Sequence, residues 1–225
     1  LDSRKIKQRD NLNKIKKILL NVKNKGDKAV ISYEKKFSKI RLKSKKIKFS
    51  KNEISKISRA VDKKLKNFID LAFKRIKFFH SKQKFSSFKY KDRFRNEVSY
   101  KYSAIDKIGV YVPGGTASYP STVLMNCIPA MVAGVKNIYL TTPSLGAKVN
   151  PAIIYAAKKC GVKEIYKTGG AHSVAAFAYG TKTFQKVDKI VGPGNKFVAS
   201  AKKEVFGDVG IDMVAGPSEV SIVAD

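Results

Sequence analysis

From Ile105 onward the chain alternates short apolar runs with segments of helical period. Three of the runs end in Gly/Pro turns: Ile108-Gly-Val-Tyr-Val-Pro-Gly-Gly-Thr116, Val191-Gly-Pro-Gly-Asn-Lys-Phe197 and Ala215-Gly-Pro-Ser-Glu-Val220. The pattern predicts strands at Gly109 to Val112, Asn137 to Thr142, Glu164 to Lys167, Lys189 to Val191 and Val220 to Ala224. Between them it predicts helices over Thr122 to Ala133, Pro151 to Cys160, Ser173 to Tyr179 and Asn195 to Val205. Strands that alternate with helices of about 8 to 14 residues build βαβ units on a parallel sheet. A Gly/Pro turn between strand and helix brings backbone N–H groups to the place where a phosphate or ribose can be held.

Upstream the periodicity is helical. Leu12, Ile15, Ile18, Leu19 and Val22 recur at three- and four-residue steps, and Gly26 can end that helix. A short helix follows, carrying Ala29, Val30, Tyr33 and Phe37 inward, and then a Lys-rich stretch from Ile40 to Phe49 that reads as a short strand or exposed loop. Ser50 and Glu53 have capping-box spacing. The apolar period from Ile54 to Phe79 predicts a single helix of about seven turns with its aromatic residues in the core. His80, beside Phe78 and Phe79, reads as structural, and the alternation from Phe85 to Tyr102 suggests a β-ribbon. Composition changes near residue 103, so two regions are expected. Residues 1–103 form a helical and ribbon region, and residues 104–225 a Rossmann-like domain truncated at its C-terminus. The expected class is α/β: helical N-terminal elements plus an incomplete Rossmann-like parallel-sheet domain.

The chain has 225 residues, 43% of them apolar, which is enough to supply a core. No apolar run of membrane-spanning length occurs and the N-terminus lacks a signal-peptide stretch, so a soluble cytoplasmic protein without membrane partners is expected. The first residue is Leu, which hints at a clipped N-terminus. The formal charge of +30 is uneven: residues 1 to 103 hold 34 Lys or Arg against 9 Asp or Glu, and the remainder 13 against 8. Forty of the 47 basic residues are Lys, and no zinc-finger or RNP motif accompanies them. They read as solvated helix faces rather than a nucleic-acid surface. Cys127 and Cys160 lie in apolar or helical surroundings without C-x-x-C spacing and read as reduced interior residues.

Gly192-Pro-Gly194 lacks the third glycine of the ordinary dinucleotide fingerprint, so it does not by itself identify a cofactor. Taken in order, however, Y-V-P-G-G, G-P-G-N and A-G-P-S-E-V closely resemble histidinol dehydrogenases. The resemblance extends upstream through Val22-Lys-Asn-Lys-Gly-Asp-Lys-Ala-Val-Ile-Ser-Tyr33 and Phe79-His-Ser-Lys-Gln83. It implies an NAD- and zinc-dependent oxidation of L-histidinol to L-histidine, in two steps, by a homodimer. It places NAD contacts at Tyr111, His172 and Asn195 and a substrate contact at Ser218. At Gly169-Gly-Ala-His172 this chain has His where the family usually has Gln, and the alternative role for that residue is a helix cap. The zinc ligands and the Glu-His acid/base pair of the family fall downstream of A-G-P-S-E-V, hence beyond Asp225. The chain therefore reads as a fragment without catalytic or metal residues of its own, inactive alone. Two other readings stay open: a related dehydrogenase acting on another amino or polar alcohol, and a basic nucleic-acid-binding protein without catalysis.

Overall fold

A computed structural model of the chain describes residues 2–114, 119–144, 149–214 and 221–223. Helix α1 (Asp2–Lys25) buries Ile15, Leu19 and Val22 along the stripe their spacing predicts. It stops at Gly26, whose φ of 54° is readily adopted without a Cβ. Helix α2 (Asp27–Phe37) turns back from there with Ala29, Val30 and Glu34 inward. At its start the Asp27 carboxylate accepts hydrogen bonds from the hydroxyls of Thr181 and Thr183, more than 150 residues away in the chain.

The helix expected from Ser50 to Phe79 is two helices. Helix α3 (Lys51–Arg59) has the predicted capping box: Glu53 N–H donates to Ser50 Oγ at 3.2 Å and Ser50 N–H to Glu53 Oε2 at 2.7 Å. It ends at Ala60. Helix α4 (Lys63–Ser81) restarts with Asp62 as its N-cap, which accepts from Leu65 N–H at 3.1 Å. Val61 is buried between the two, so the apolar period runs through the break and hides it. The aromatic residues of α4 also depart from expectation. Phe68, Phe78 and Phe79 are 58%, 68% and 61% exposed, because α4 rests on its neighbours only through a narrow stripe of Ile69, Ala72, Phe73 and Ile76. His80 shares a local 2.6 Å hydrogen bond with Gln83. The ribbon is present as β1 (Phe88–Lys91) and antiparallel β2 (Glu97–Tyr100), with Phe88 stacked on its cross-strand partner Tyr100.

The βαβ region folds as read. Strands β3 (Lys107–Tyr111), β4 (Asn137–Thr141), β5 (Glu164–Tyr166) and β6 (Lys189–Val191) are joined by helices α5 (Pro120–Val132), α6 (Pro151–Lys159) and α7 (Gly170–Tyr179). Helix α8 (Lys196–Val205) then leads to β7 (Gly210–Ile211). All pairings are parallel, in the order β5-β4-β3-β6-β7, which is the order of the first five strands of a doubly wound nucleotide-binding sheet. The fifth strand is not where it was expected. Of Val220 to Ala224 only 221–223 are described, and they are exposed and unpaired. Strand β7 is too short to show an alternating pattern in sequence.

Both faces of the sheet are covered, as a parallel sheet requires. One face packs Tyr111, Tyr139 and Tyr166 against α7, α8 and the stripe of α1 and α2. The other packs Ile108, Val110, Ile138, Leu140 and Ile165 against α5 and α6, which α3 and α4 cover in turn. The change in composition near residue 103 therefore does not divide the core, since the first four helices complete both layers. The stretch before α3 caps the outer strand: Phe49 N–H donates to Ile165 O at 2.9 Å and Lys167 N–H to Ile47 O at 2.7 Å. Cys127 and Cys160 are buried and free on the α5–α6 face. The neighbouring Cys160 thiol and burial together push the Cys127 thiol well up, which keeps it protonated and unreactive. Among the described residues no helix is long and apolar enough to cross a membrane.

Gly109, in the middle of β3, is where this layer is tightest. A Cβ there would lie 2.7 Å from the Phe177 ring that packs down from α7. Gly109→Ala is expected to lower the unfolding free energy by about 1–3 kcal/mol through overpacking. Chemical denaturation would check this, with a reduced midpoint and an unchanged slope as the expected result.

Candidate functional site

Helices α5 and α8 leave the sheet on opposite faces, so the chain parts between the adjacent strands β3 and β6. A crevice opens at the carboxyl ends of two such strands, and in this architecture that is where ligands bind. Two of the three Gly/Pro turns of the sequence, those after β3 and β6, meet here, and the third, at 215–220, lies outside the described residues. Gly192, the first residue after β6, has φ +109°, and a Cβ on it would stand 2.1 Å from the carbonyl oxygen of Tyr111 at the end of β3. Beside it, Gly114 and Gly169 both close on Pro143: added Cβ atoms would lie 2.7 Å from its carbonyl oxygen and 2.6 Å from its Cβ, respectively. The loops after β3 and β5 therefore close on Pro143 of the loop after β4 at positions where they carry no side chain of their own.

A charge pair with one buried member, Lys202, holds the turn after β6. Lys202 of α8, 5% exposed, pairs with Asp212 and donates to the Gly192 carbonyl at 2.9 Å. Gly192 N–H donates to the other oxygen of Asp212 at 2.8 Å. The peptide groups on both sides of Gly192 are thus fixed by one ion pair, which satisfies both charges and the backbone together. Asn195 follows as the N-cap of α8, its Oδ1 accepting from Phe197 and Val198 N–H at 3.1 Å each. The residue is exposed, and its Nδ2 group has no partner among the described residues.

Tyr111 is 4% exposed, and its hydroxyl accepts from Gly170 N–H at 3.1 Å. Burial raises its phenol above the ordinary range, so the hydroxyl stays protonated. His172 lies in the first turn of α7 but faces inward, 2% exposed, beside the rings of Tyr33 and Phe37, which stack on each other. Its Nε2 donates to Glu34 Oε1 at 2.8 Å, and the same oxygen accepts from Gly169 N–H at 2.9 Å. It is not the residue that caps α7; that position is Gly169, which makes no side-chain cap. Burial alone would raise the Glu34 carboxyl. The hydrogen bond and charge of His172, with the Gly169 amide, outweigh it and hold the group below the usual carboxylate range.

Tyr111 and His172 thus meet at one turn, Gly169–Gly170, while Asn195 stands on the next loop, three residues past the Gly192 that touches Tyr111. Ser218 lies outside the described residues. Among those residues no three His, Cys, Asp or Glu side chains converge as metal ligands would. Glu34 was not singled out from the sequence. Its signal was available as an acid four residues after Val30, on the apolar face of α2.

The chain was compared with known proteins. The family model described as histidinol dehydrogenase matches residues 1–225. A histidinol dehydrogenase of Pelagibacter ubique (strain HTCC1062) is 53% identical over 226 residues, covering 100% of this chain and 52% of the relative. That of Bacillus subtilis (strain 168) is 48% identical over 212 residues, covering 94% and 49%. The crystal structure of histidinol dehydrogenase from Elizabethkingia anophelis superposes with a TM-score of 0.87 at 41% identity, over 92% of this chain and 48% of that one. The chain spans about half the length of the curated relatives it matches.

The depressed Glu34 carboxyl has a consequence for stability. Its folded pKa lies below the unfolded value of 4.5, so its contribution is complete above that value and is lost as pH falls through the folded one. Glu34→Gln is expected to cost about 2 kcal/mol at neutral pH, the scale of a buried charged hydrogen bond. The deficit should shrink as pH drops below 4.5. Unfolding free energies of both proteins across the acid range would check this, and a pH-independent difference would contradict it.

Proposed function

Because the chain belongs to the histidinol dehydrogenase family, we propose that it forms the N-terminal half of an NAD-dependent enzyme that oxidises L-histidinol, through the aldehyde, to L-histidine. The observation that carries this reading is the switch-point crevice itself: a glycine turn fixed by Lys202 and Asp212, a helix N-terminus behind it, and Tyr111 across from it. The residues suit a dinucleotide. The close approach at Gly192 leaves bare backbone at the carboxyl edge of the sheet, and the N-terminus of α8 favours negative charge.

NAD is assigned to the crevice bounded by Tyr111, the turn that carries His172, and Asn195. When bound, it supplies the hydride acceptor for both oxidations. Tyr111, its buried side chain bonded to Gly170 N–H, bounds the crevice through its backbone and the turn it holds, and Asn195 offers the Nδ2 donor that its capping role leaves over. Ser218, which the resemblance makes a substrate contact, is proposed for the alcohol. Zinc does not fit the described residues, so its ligands are placed outside them. The family resemblance also supports a homodimer and a cytoplasmic location, and both are part of the proposal.

The direct test is to express the coding sequence through to its stop codon and supply NAD with L-histidinol. NADH formation with L-histidine as the product is expected. Absence of NADH with L-histidinol, when another amino alcohol supports it, would move the assignment to a related dehydrogenase. Asn195→Asp separates the two roles of that residue, since it keeps the capping oxygen and removes the amide donor. The expected result is a KM for NAD raised roughly tenfold, about 1.4 kcal/mol, with stability within about 0.5 kcal/mol of the parent. An unchanged KM would remove Asn195 from the cofactor site.

A further inference from the structure

We propose that Glu34 is a positioning residue for cofactor binding. With His172 it forms a buried pair that sets the Gly169–Gly170 turn against Tyr111, so that the turn, rather than the His172 side chain, meets the dinucleotide. The inference rests on the NAD reading above.

Two consecutive amides of a side-chain-free turn are held by side chains from two different elements. Gly169 N–H donates to Glu34 Oε1 at 2.9 Å, from α2, and Gly170 N–H donates to the Tyr111 hydroxyl at 3.1 Å, from β3. With Gly170 at φ +70° and no Cβ on either residue, the conformation of the turn is fixed by these bonds and not by packing of its own. The turn is also pressed from below: a Cβ on Gly169 would strike Pro143 at 2.6 Å, so the turn has little room to move in that direction.

Glu34 is fully buried and its carboxylate needs partners to remain there. His172 supplies one through Nε2 at 2.8 Å, and the stacked rings of Tyr33 and Phe37 pack beside the imidazole. Nδ1 of His172 has no partner among the described residues and faces the Gly170 side of the turn, where a Cβ on Gly170 would be 3.4 Å from it. A ring 2% exposed, bonded at Nε2 to a buried carboxylate, is not available to reach into the crevice. Its effect passes instead through Glu34 to the Gly169 amide and on through Gly170 to Tyr111. The His at position 172 and the acid at position 34 thus form one unit. Removing either leaves the other a buried polar group with too few partners.

The test uses the enzyme expressed to its stop codon, with initial rates varied separately in NAD and in alcohol, and thermal unfolding recorded for every variant. Glu34→Gln is expected to raise the KM for NAD at least fivefold while kcat and the KM for the alcohol stay within twofold. His172→Leu, which removes the bond to Glu34 without supplying the amide the family usually has there, should act in the same direction. The double variant should be no worse than the poorer single one, because the two residues act through one turn. A Glu34→Gln enzyme that loses thermal stability but keeps its KM for NAD would overturn the inference, as would effects that multiply in the double variant. If Glu34→Gln does not fold, amide exchange in the unaltered enzyme decides: exchange at Gly169 and Gly170 should slow at least tenfold on saturation with NAD, and exchange indifferent to NAD overturns the proposal. An unaltered enzyme that does not reduce NAD overturns the functional reading and the inference with it. Failure confined to the variants overturns the inference alone.

Discussion

A parallel sheet has no face it can show to water, and the rest of this structure follows from that constraint. The crossover helices α5 to α8 cover part of each face. Helices α1 and α2 complete one layer, and α3 and α4 complete the other from behind α5 and α6. The demand for space is met residue by residue along the strands. Gly109 gives way to Phe177, and Tyr166, stacked on Phe184 at 3.9 Å between ring centroids, sends its hydroxyl outward to Glu164. The lysine-rich exterior of the first hundred residues is the outer surface of these helices, whose inner faces are as apolar as the strands they cover.

The same layering places two buried charges where they act on loops and not on the core. Lys202 comes from α8 and Glu34 from α2, yet each directs its charge at a glycine backbone on the carboxyl edge, at Gly192 and Gly169. Buried charges are costly unless fully paired, and pairs of this kind often add little net stability. What they contribute is definition: two glycines with no side chain of their own, Gly192 and Gly169, are each given one conformation. The carboxyl edge is therefore held at Gly192 and Gly169 by charges that come from helices behind it.

Much of this was legible in the sequence because it is local or periodic. The four βαβ strands up to Val191 and their helices follow from period and turn chemistry, and the capping box at Ser50 and Glu53 follows from spacing alone. The break at Asp62 was not legible, because Val61 keeps the apolar period in phase across it. Strand β7 was missed since two residues carry no alternation. Phe68, Phe78 and Phe79 were expected inside because they share a stripe with aliphatic residues, but the width of the contact, which sequence does not reveal, leaves them at the surface. The place of His172 was the least readable of all. Its partner stands 138 residues earlier, and only the packing of α2 on α7 brings them together.

That packing orders events in time as well as space. Asp27 finds Thr181 and Thr183, and Glu34 finds Gly169 and His172, only after most of the chain has been made. Helices α1 and α2 leave the ribosome before α7, and the stripe and carboxylate they turn toward it have no partner there until α7 has formed. Contacts of such long sequence separation fold slowly, and the surfaces awaiting them are exposed meanwhile. During synthesis the protein therefore passes through a stage in which that face of α1 and α2 is uncovered. Its yield during synthesis would then depend on how long the first two helices can wait without finding each other's copies.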